Sequence, residues 1–280
     1  MDPDYKTKYA IHEAAREGQT STVESLINVS SNYLPRVHQG EIQLSIDHPG
    51  ARFKERCIAN DVSRSWTQAN PKLAFLKDPD DRLPIHWAVA YNHFPIVELL
   101  VGMPKFDPDE VDASGWTPLM IAASLKDGEG DPIIELLLRK DADVNIKSVT
   151  GQNALHFATS KVNVSTVRLL LTHKCSARVK DNRGQLALHR AAAVGSVPII
   201  NMLLQEGKSP LNATDVDGST ALHHAIAEGN GEAALVLLRA GAEVDKRDKN
   251  DKLAIELAPD TKVRKYIFES AEREGIELLP

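Results

Sequence analysis

The chain has 280 residues, 42% of them hydrophobic and 5% aromatic, with a formal net charge of −6: enough apolar material for a continuous core, but no global basis for binding nucleic acid or an anionic membrane. No run approaches 18 apolar residues and the charged start Met1-Asp2-Pro3-Asp4 does not read as a signal peptide, so neither a membrane span nor secretion is expected. Two cysteines, Cys57 and Cys175, make neither a disulfide framework nor a metal set, and a cytoplasmic and nuclear setting is expected.

The first predicted element is a short helix around Ile11-His12-Glu13-Ala14-Ala15, and its pattern returns down the chain. It reads Pro84-Ile85-His86-Trp87-Ala88, Pro118-Leu119-Met120-Ile121-Ala122, Ala154-Leu155-His156-Phe157-Ala158, Ala187-Leu188-His189-Arg190-Ala191 and Ala221-Leu222-His223-His224-Ala225. A degraded last copy is Ala254-Ile255-Glu256-Leu257-Ala258. From His86 the slot recurs at 120, 156, 189, 223 and 256, steps of 34, 36, 33, 34 and 33. That period and pattern are the signature of ankyrin repeats. The expected fold is all-α: an ankyrin-repeat solenoid of seven repeats, with short β-turn fingers and an irregular insertion between repeats 1 and 2.

Residues 1–28 read as repeat 1, residues 29–68 as the insertion, and residues 69–280 as repeats 2–7 with a C-terminal capping helix. The insertion shows no helical pattern, and a long structureless loop inside a compact stack counts against its own assignment. Deleting its 40 residues reduces the His12–His86 spacing from 74 to 34 and restores the period. The arithmetic favours a translated intron: Val29-Ser30 can be encoded by a GTAAGT donor, Ala59-Asn60 by a GCTAAC branch site and Gln68 by a CAG acceptor. The rival is a genuine surface insertion. Either way a poorly packed excursion is expected, and Cys57 and Trp66 carry no functional weight.

Each later unit follows one plan, clearest from Asp181. Asp181-Asn182-Arg183-Gly184 has turn chemistry, with Gly184 free to take a left-handed conformation. Ala187 starts a short helix whose alanines permit close approach, Gly195 ends it, and Pro198 lies in the first turn of a second helix. Each helix pair has two apolar faces and can bury them only against its neighbours.

His12, His86, His156, His189 and His223 occupy one motif slot. Residues that recur once per repeat lie along a line and do not converge, so they are expected to make local hydrogen bonds and not to ligate a metal. No phosphate loop, paired-histidine metal motif or nucleophile elbow occurs. Gly128-Glu129-Gly130 reads as an inter-helix loop, and Cys175 as a plain loop thiol. No catalysis and no cofactor is expected.

Function is therefore expected on the concave side, where turn tips and inner-helix ends carry no packing duty. Aligning repeats places Arg82, Trp116, Gln152, Gln185, Ser219 and Lys252 at one turn position, and Tyr91, Leu125, Lys161, Val194 and Glu228 at the helix ends. Arg183 and Asp217 are turn-tip charges. The expected partner-binding residues are Arg82, Tyr91, Trp116, Lys161, Arg183, Asp217 and Glu228. A turn-tip tryptophan has no core to fill, and aromatics with arginine dominate interface anchors. Trp87 is expected to pack between helices.

Arg82-Leu83-Pro84-Ile85-His86-Trp87, Ser114-Gly115-Trp116-Thr117-Pro118, Ala193-Val194-Gly195-Ser196 and Ala227-Glu228-Gly229-Asn230-Gly231-Glu232 resemble, in register, the gankyrin family of proteasome regulatory-particle assembly chaperones, most closely its fungal form. The resemblance implies a monomer that cradles the C-terminal domain of a proteasomal AAA ATPase subunit, with Arg82 and Lys161 at family contact positions. It does not imply retinoblastoma binding: where the animal form carries Leu-x-Cys-x-Glu, this chain has His224, Ile226 and Glu228. On this reading Arg82→Glu with Lys161→Glu abolishes binding and barely changes unfolding. The alternative is a generic ankyrin adaptor or an inhibitor of a signalling protein, with no nucleic acid or membrane involved.

The intron reading predicts transcripts spliced across the codons for residues 29–68. Reads that are continuous through them in every transcript would overturn it.

Overall fold

The computed structural model describes residues 9–27 and 70–278. The segment expected as an insertion at 29–68, with Cys57 and Trp66, lies outside the described residues.

Seven helix pairs stack in chain order. They are α1 (Ala10–Arg16) with α2 (Thr20–Ile27), α3 (Pro84–Ala90) with α4 (Phe94–Val101), and α5 (Pro118–Ala123) with α6 (Asp131–Leu138). Then come α7 (Ala154–Ser160) with α8 (Val164–Thr172), α9 (Ala187–Ala193) with α10 (Val197–Gln205), and α11 (Ala221–Ala227) with α12 (Gly231–Arg239). In the seventh pair a single 3₁₀ turn, Ala254–Leu257, replaces the inner helix ahead of α13 (Thr261–Arg273). No sheet occurs among the described residues, only one isolated bridge between Arg247 and Leu253.

The inner helices pack closely because their facing residues are small: Ala15, Ala88, Ala123, Ala158, Ala191, Ala192 and Ala225 are fully buried. The outer helices bury branched residues at helical spacing, such as Ile133, Ile134 and Leu137 of α6 or Ile199, Ile200 and Leu203 of α10. Each such side chain contributes roughly 1.5–3 kcal/mol, realised only when the next repeat covers it.

The motif histidines join repeats in two directions. His86 Nδ1 accepts the N–H of Leu83 at 3.0 Å, and His189 Nδ1 that of Leu186 at 3.0 Å. An acceptor Nδ1 leaves the proton on Nε2, which donates forward into the next finger: His86 to Glu110 O (3.2 Å), His189 to Ala213 O (3.1 Å) and His223 to Lys252 O (3.3 Å). His156 spans the same gap, its Nε2 3.2 Å from Gln185 O and its Nδ1 2.7 Å from Asn153 Oδ1. In repeat 7 the carboxylate of Glu256 takes over the accepting role, from Leu253 N at 2.7 Å. In repeat 3, where the slot is Met120, Thr117 Oγ1 caps the helix from outside by accepting Met120 N–H at 3.2 Å.

Each finger is set by its first residue. Oδ1 of Asp181 accepts the N–H groups of Arg183 and Gln185, both at 2.9 Å, and Asp78, Asp112, Asp215 and Asp248 repeat the arrangement. Neighbouring fingers are joined by backbone bonds such as Val216 N to Arg183 O, 2.9 Å. Repeat 1 docks in the same manner: His12 Nε2 donates to Leu76 O (2.8 Å) and Arg82 O (3.0 Å), and Asn70 N donates to Leu26 O (2.9 Å), so the two described stretches meet at that point.

One backbone position breaks the plan. The residue two past the inner helix is left-handed in five pairs: Gly18, Asn92, Gly195 and Gly229, but also Val162, with φ of 60°; in repeat 3 it is Leu125, which is extended. A β-branched residue in that region costs about 1–2 kcal/mol.

Burial first, and for His189 the neighbouring His224 second, holds the motif histidines below the usual imidazole range, His156 and His189 at about 4. His12, His86 and His223 are lowered by the same desolvation. The folded chain therefore refuses protons that the unfolded chain accepts below about pH 6.5, so stability falls as pH drops from there toward 4. Between pH 7 and 5 the loss should be about 2 kcal/mol for each of His156 and His189. Urea unfolding midpoints across that range check it; a flat profile would contradict the neutral, bridging histidines.

Candidate functional site

The concave side begins with the second oxygen of each finger aspartate. While Oδ1 organises the turn, Oδ2 faces the residue nine positions later, on the inner helix. Trp87 Nε1 donates to Asp78 Oδ2 at 2.9 Å, Arg190 Nη2 to Asp181 Oδ2 at 2.8 Å, and His224 Nε2 to Asp215 Oδ2 at 2.8 Å. Burial would raise the carboxyls of Asp181 and Asp215, yet the hydrogen bonds from Arg190 and His224, with the backbone N–H groups, hold them below the usual range.

Repeats 3, 4 and 7 lack that partner; nine beyond Asp248 stands Leu257, which cannot donate. The residue nine beyond Asp112 is Ile121, which cannot donate, and the finger of repeat 4 starts with Ser148, facing Phe157. Asp112 Oδ2 is met instead from the preceding repeat by Arg82 Nε at 3.6 Å. Arg82 is thereby drawn across the seam between repeats 2 and 3. Its Nη1 lies 3.8 Å from Asp80 Oδ2, and its guanidinium carbon 5.0 Å from the centre of the Trp87 ring. Cation and ring attract by roughly 0.5–1 kcal/mol.

Around this arginine lies a groove of about 550 Å³, lined by Arg82, Trp87, Tyr91, Trp116, Ile121 and Leu125 among others. Trp87 and Tyr91 stack at 6.3 Å and 24°. Trp116 lies 4.1 Å from Phe157 of the next repeat, ring centre to ring centre. A half-exposed aromatic wall with one oriented cation suits an apolar side chain beside a carboxylate from a partner.

Of the residues expected from sequence, Arg82, Tyr91 and Trp116 come together in this groove. Lys161, Arg183, Asp217 and Glu228 are exposed on later repeats and do not line it. One expectation needs correcting. Trp116 is not a free tip residue: it is half-buried against Phe157 and the core. Trp87 packs against the core as expected and also forms the groove wall. The recurring nine-residue interval, Asp78–Trp87, Asp181–Arg190 and Asp215–His224, is the signal that marks Trp87. Gln185, aligned with Arg82, is buried and bonds to Asp215 Oδ2 at 3.4 Å.

Among the described residues no group of three or more His, Cys, Asp or Glu side chains could hold a metal ion. Cys175 is buried, its thiol pushed up to about 12 by desolvation, so it is protonated at neutral pH and a poor nucleophile. It donates to Val144 O at 3.2 Å.

A family model described as "Ankyrin repeats (3 copies)" matches residues 64–148, 126–215 and 155–248. An ankyrin repeat-containing protein of Schizosaccharomyces pombe is 36% identical over 229 residues, 82% of this chain and 97% of that protein. The "Probable 26S proteasome regulatory subunit p28" of Saccharomyces cerevisiae is 34% identical over 221 residues, 76% of this chain and 96% of that one. Among solved structures, the human ASB11 ankyrin repeat domain superposes with a TM-score of 0.68 at 18% identity, over 92% of this chain and 96% of that domain, a likeness of fold.

The geometry separates the two charges expected to act together. Arg82→Glu would set a second carboxylate beside buried Asp112 and uncover Trp87, at a cost of about 1 kcal/mol. Lys161→Glu, at an exposed helix end, should stay within about 0.5 kcal/mol of the parent. Denaturant midpoints of the two single variants test the difference.

Proposed function

The chain belongs to the ankyrin-repeat family, and from that premise we propose that it is a non-catalytic chaperone for assembly of the 26S proteasome regulatory particle. It binds the C-terminal domain of one proteasomal AAA ATPase subunit on its concave face, as a monomer, in cytoplasm and nucleus. The observation that carries this reading is the groove at the seam of repeats 2 and 3, where Arg82, Tyr91 and Trp116 meet. Arg82 and Trp116 sit in two of the sequence runs that resemble the gankyrin family. The match to a relative named as a proteasome regulatory subunit, over 96% of that relative, supports the same assignment.

The chemistry of the face suits a folded helical partner. The groove offers an aromatic wall and a guanidinium for one apolar and one acidic side chain. Lys161 gives a second positive point two repeats on, and Asp217 and Glu228 give negative ones farther along. A partner with alternating charge fits that order; a polyanion would meet repulsion at the far end.

Affinity capture of the full chain followed by mass spectrometry should recover proteasomal ATPase subunits. Lys161→Glu should weaken binding of the purified ATPase domain about tenfold with unfolding unchanged. Recovery of signalling proteins with no proteasomal subunit would sink the chaperone and favour the adaptor.

A further inference from the structure

The loops that lead from each outer helix to the next finger are tied together by side chains at a fixed position. Three residues before a finger begins, Asp109, Asn145 and Asn212 each offer Oδ1 to a backbone N–H of the following loop. Asp109 accepts from Asp143 (3.0 Å), Asn145 from Ser176 (2.8 Å) and Asn212 from Glu243 (3.0 Å). Each of those N–H groups lies five residues before its own finger. After repeat 4 this tie is absent. The residue three before Asp181 is Arg178, and the residue five before Asp215 is Pro210, which has no N–H. An acceptor side chain at 178 would have nothing to hold, so the arginine costs the stack no hydrogen bond.

Arg178 is exposed. Its Nε donates to Lys208 O at 3.3 Å, and its Nη groups have no partner among the described residues. Lys180 reaches the same neighbouring loop, from Nζ to Thr214 O at 2.8 Å. The loop, residues 173–180, also carries Lys174 and contains no carboxylate, whereas the loops after repeats 2, 3, 5 and 6 carry one to three each. The loops on either side add exposed Lys147 and Lys208. They are held close, one through Asn145 and Ser176, the other through Ser209 Oγ, which donates to Ala177 O at 3.3 Å. None of these cations has an ion-pair partner among the described residues.

The unpaired positive stretch is short. Two loops earlier on the same edge stand Asp107, Asp109 and Glu110. Two loops later Lys246 and Arg247 are already paired, with Glu243 at 3.2 Å and Asp251 at 3.7 Å. A continuous polyanion would run off the stretch onto carboxylates, while a short acidic segment would not. We propose that the loop after repeat 4 docks a short acidic segment of a partner protein, through Lys174, Arg178 and Lys180 with Lys147 and Lys208 beside them. The fork of Arg178 takes one carboxylate on two nitrogens, and the lysines act as point charges for its neighbours. The surface lies where the outer helices end and shares no residue with the groove at Arg82, so it stands independently of what the concave face binds.

The test follows the fluorescence anisotropy of a short labelled peptide of alternating glutamate and alanine, titrated with the full chain at about 0.15 M salt. Lys174→Asn with Arg178→Asn removes two charges and places at 178 the residue type that other loops use, so the thermal midpoint should match the parent. Peptide binding should weaken about tenfold. Lys262→Asn with Lys265→Asn removes the same charge from α13 and should change binding by less than about twofold. Equal loss in the two double variants would mean that net charge alone attracts the peptide and would overturn the site. Failure of the parent to bind the peptide would do the same. A labelled single-stranded RNA of equal charge that binds the parent more tightly than the peptide, and loses that advantage in the Lys174→Asn, Arg178→Asn variant, would reject the acidic protein segment in favour of nucleic acid.

Discussion

The stack depends on neutral imidazole rings that, at His86, His156, His189 and His223, are bonded at both nitrogens. An inner helix of six or seven residues has too few internal hydrogen bonds to stand alone, and its first N–H groups have no partner within the helix. The ring supplies one acceptor backward, to the residue before the helix, and one donor forward, to the next finger. The same side chain thus ends a local problem and begins a non-local one. Because it works only uncharged, the stack carries an acid sensitivity that follows from its own construction.

The finger aspartate is the second half of that scheme. One oxygen shapes the turn; the other needs a donor, and in repeats 2, 5 and 6 the residue nine positions on provides it. Where Ile121 fails to do so, Arg82 is recruited from the neighbouring repeat, and the groove forms around it. The groove is therefore a local exception in a repeating polar pattern. Its arginine has a structural partner as well as an exposed edge, so changing it disturbs fold and surface together, unlike the exposed Lys161.

A repeat protein lends itself to comparison within one chain, because each unit is a control for the others. Glycine or asparagine at four left-handed positions makes the valine at the fifth stand out. In a fold without repeats, the same valine would be an isolated outlier with nothing to measure it against.

Spacing alone determined the repeat period, the helix pairs, the structural standing of the histidines and the aligned rows that contain Arg82, Tyr91 and Trp116. These are legible because short-range periodicity and turn chemistry act within some thirty residues of sequence. The linear pattern did not disclose the forward half of the histidine bridge, the buried state of Gln185, or that Trp87 is wall and Trp116 half-buried. Nor did it reveal the left-handed backbone of Val162. Those depend on which atoms of one repeat face which atoms of the next, and only the stacking of the repeats brings them together.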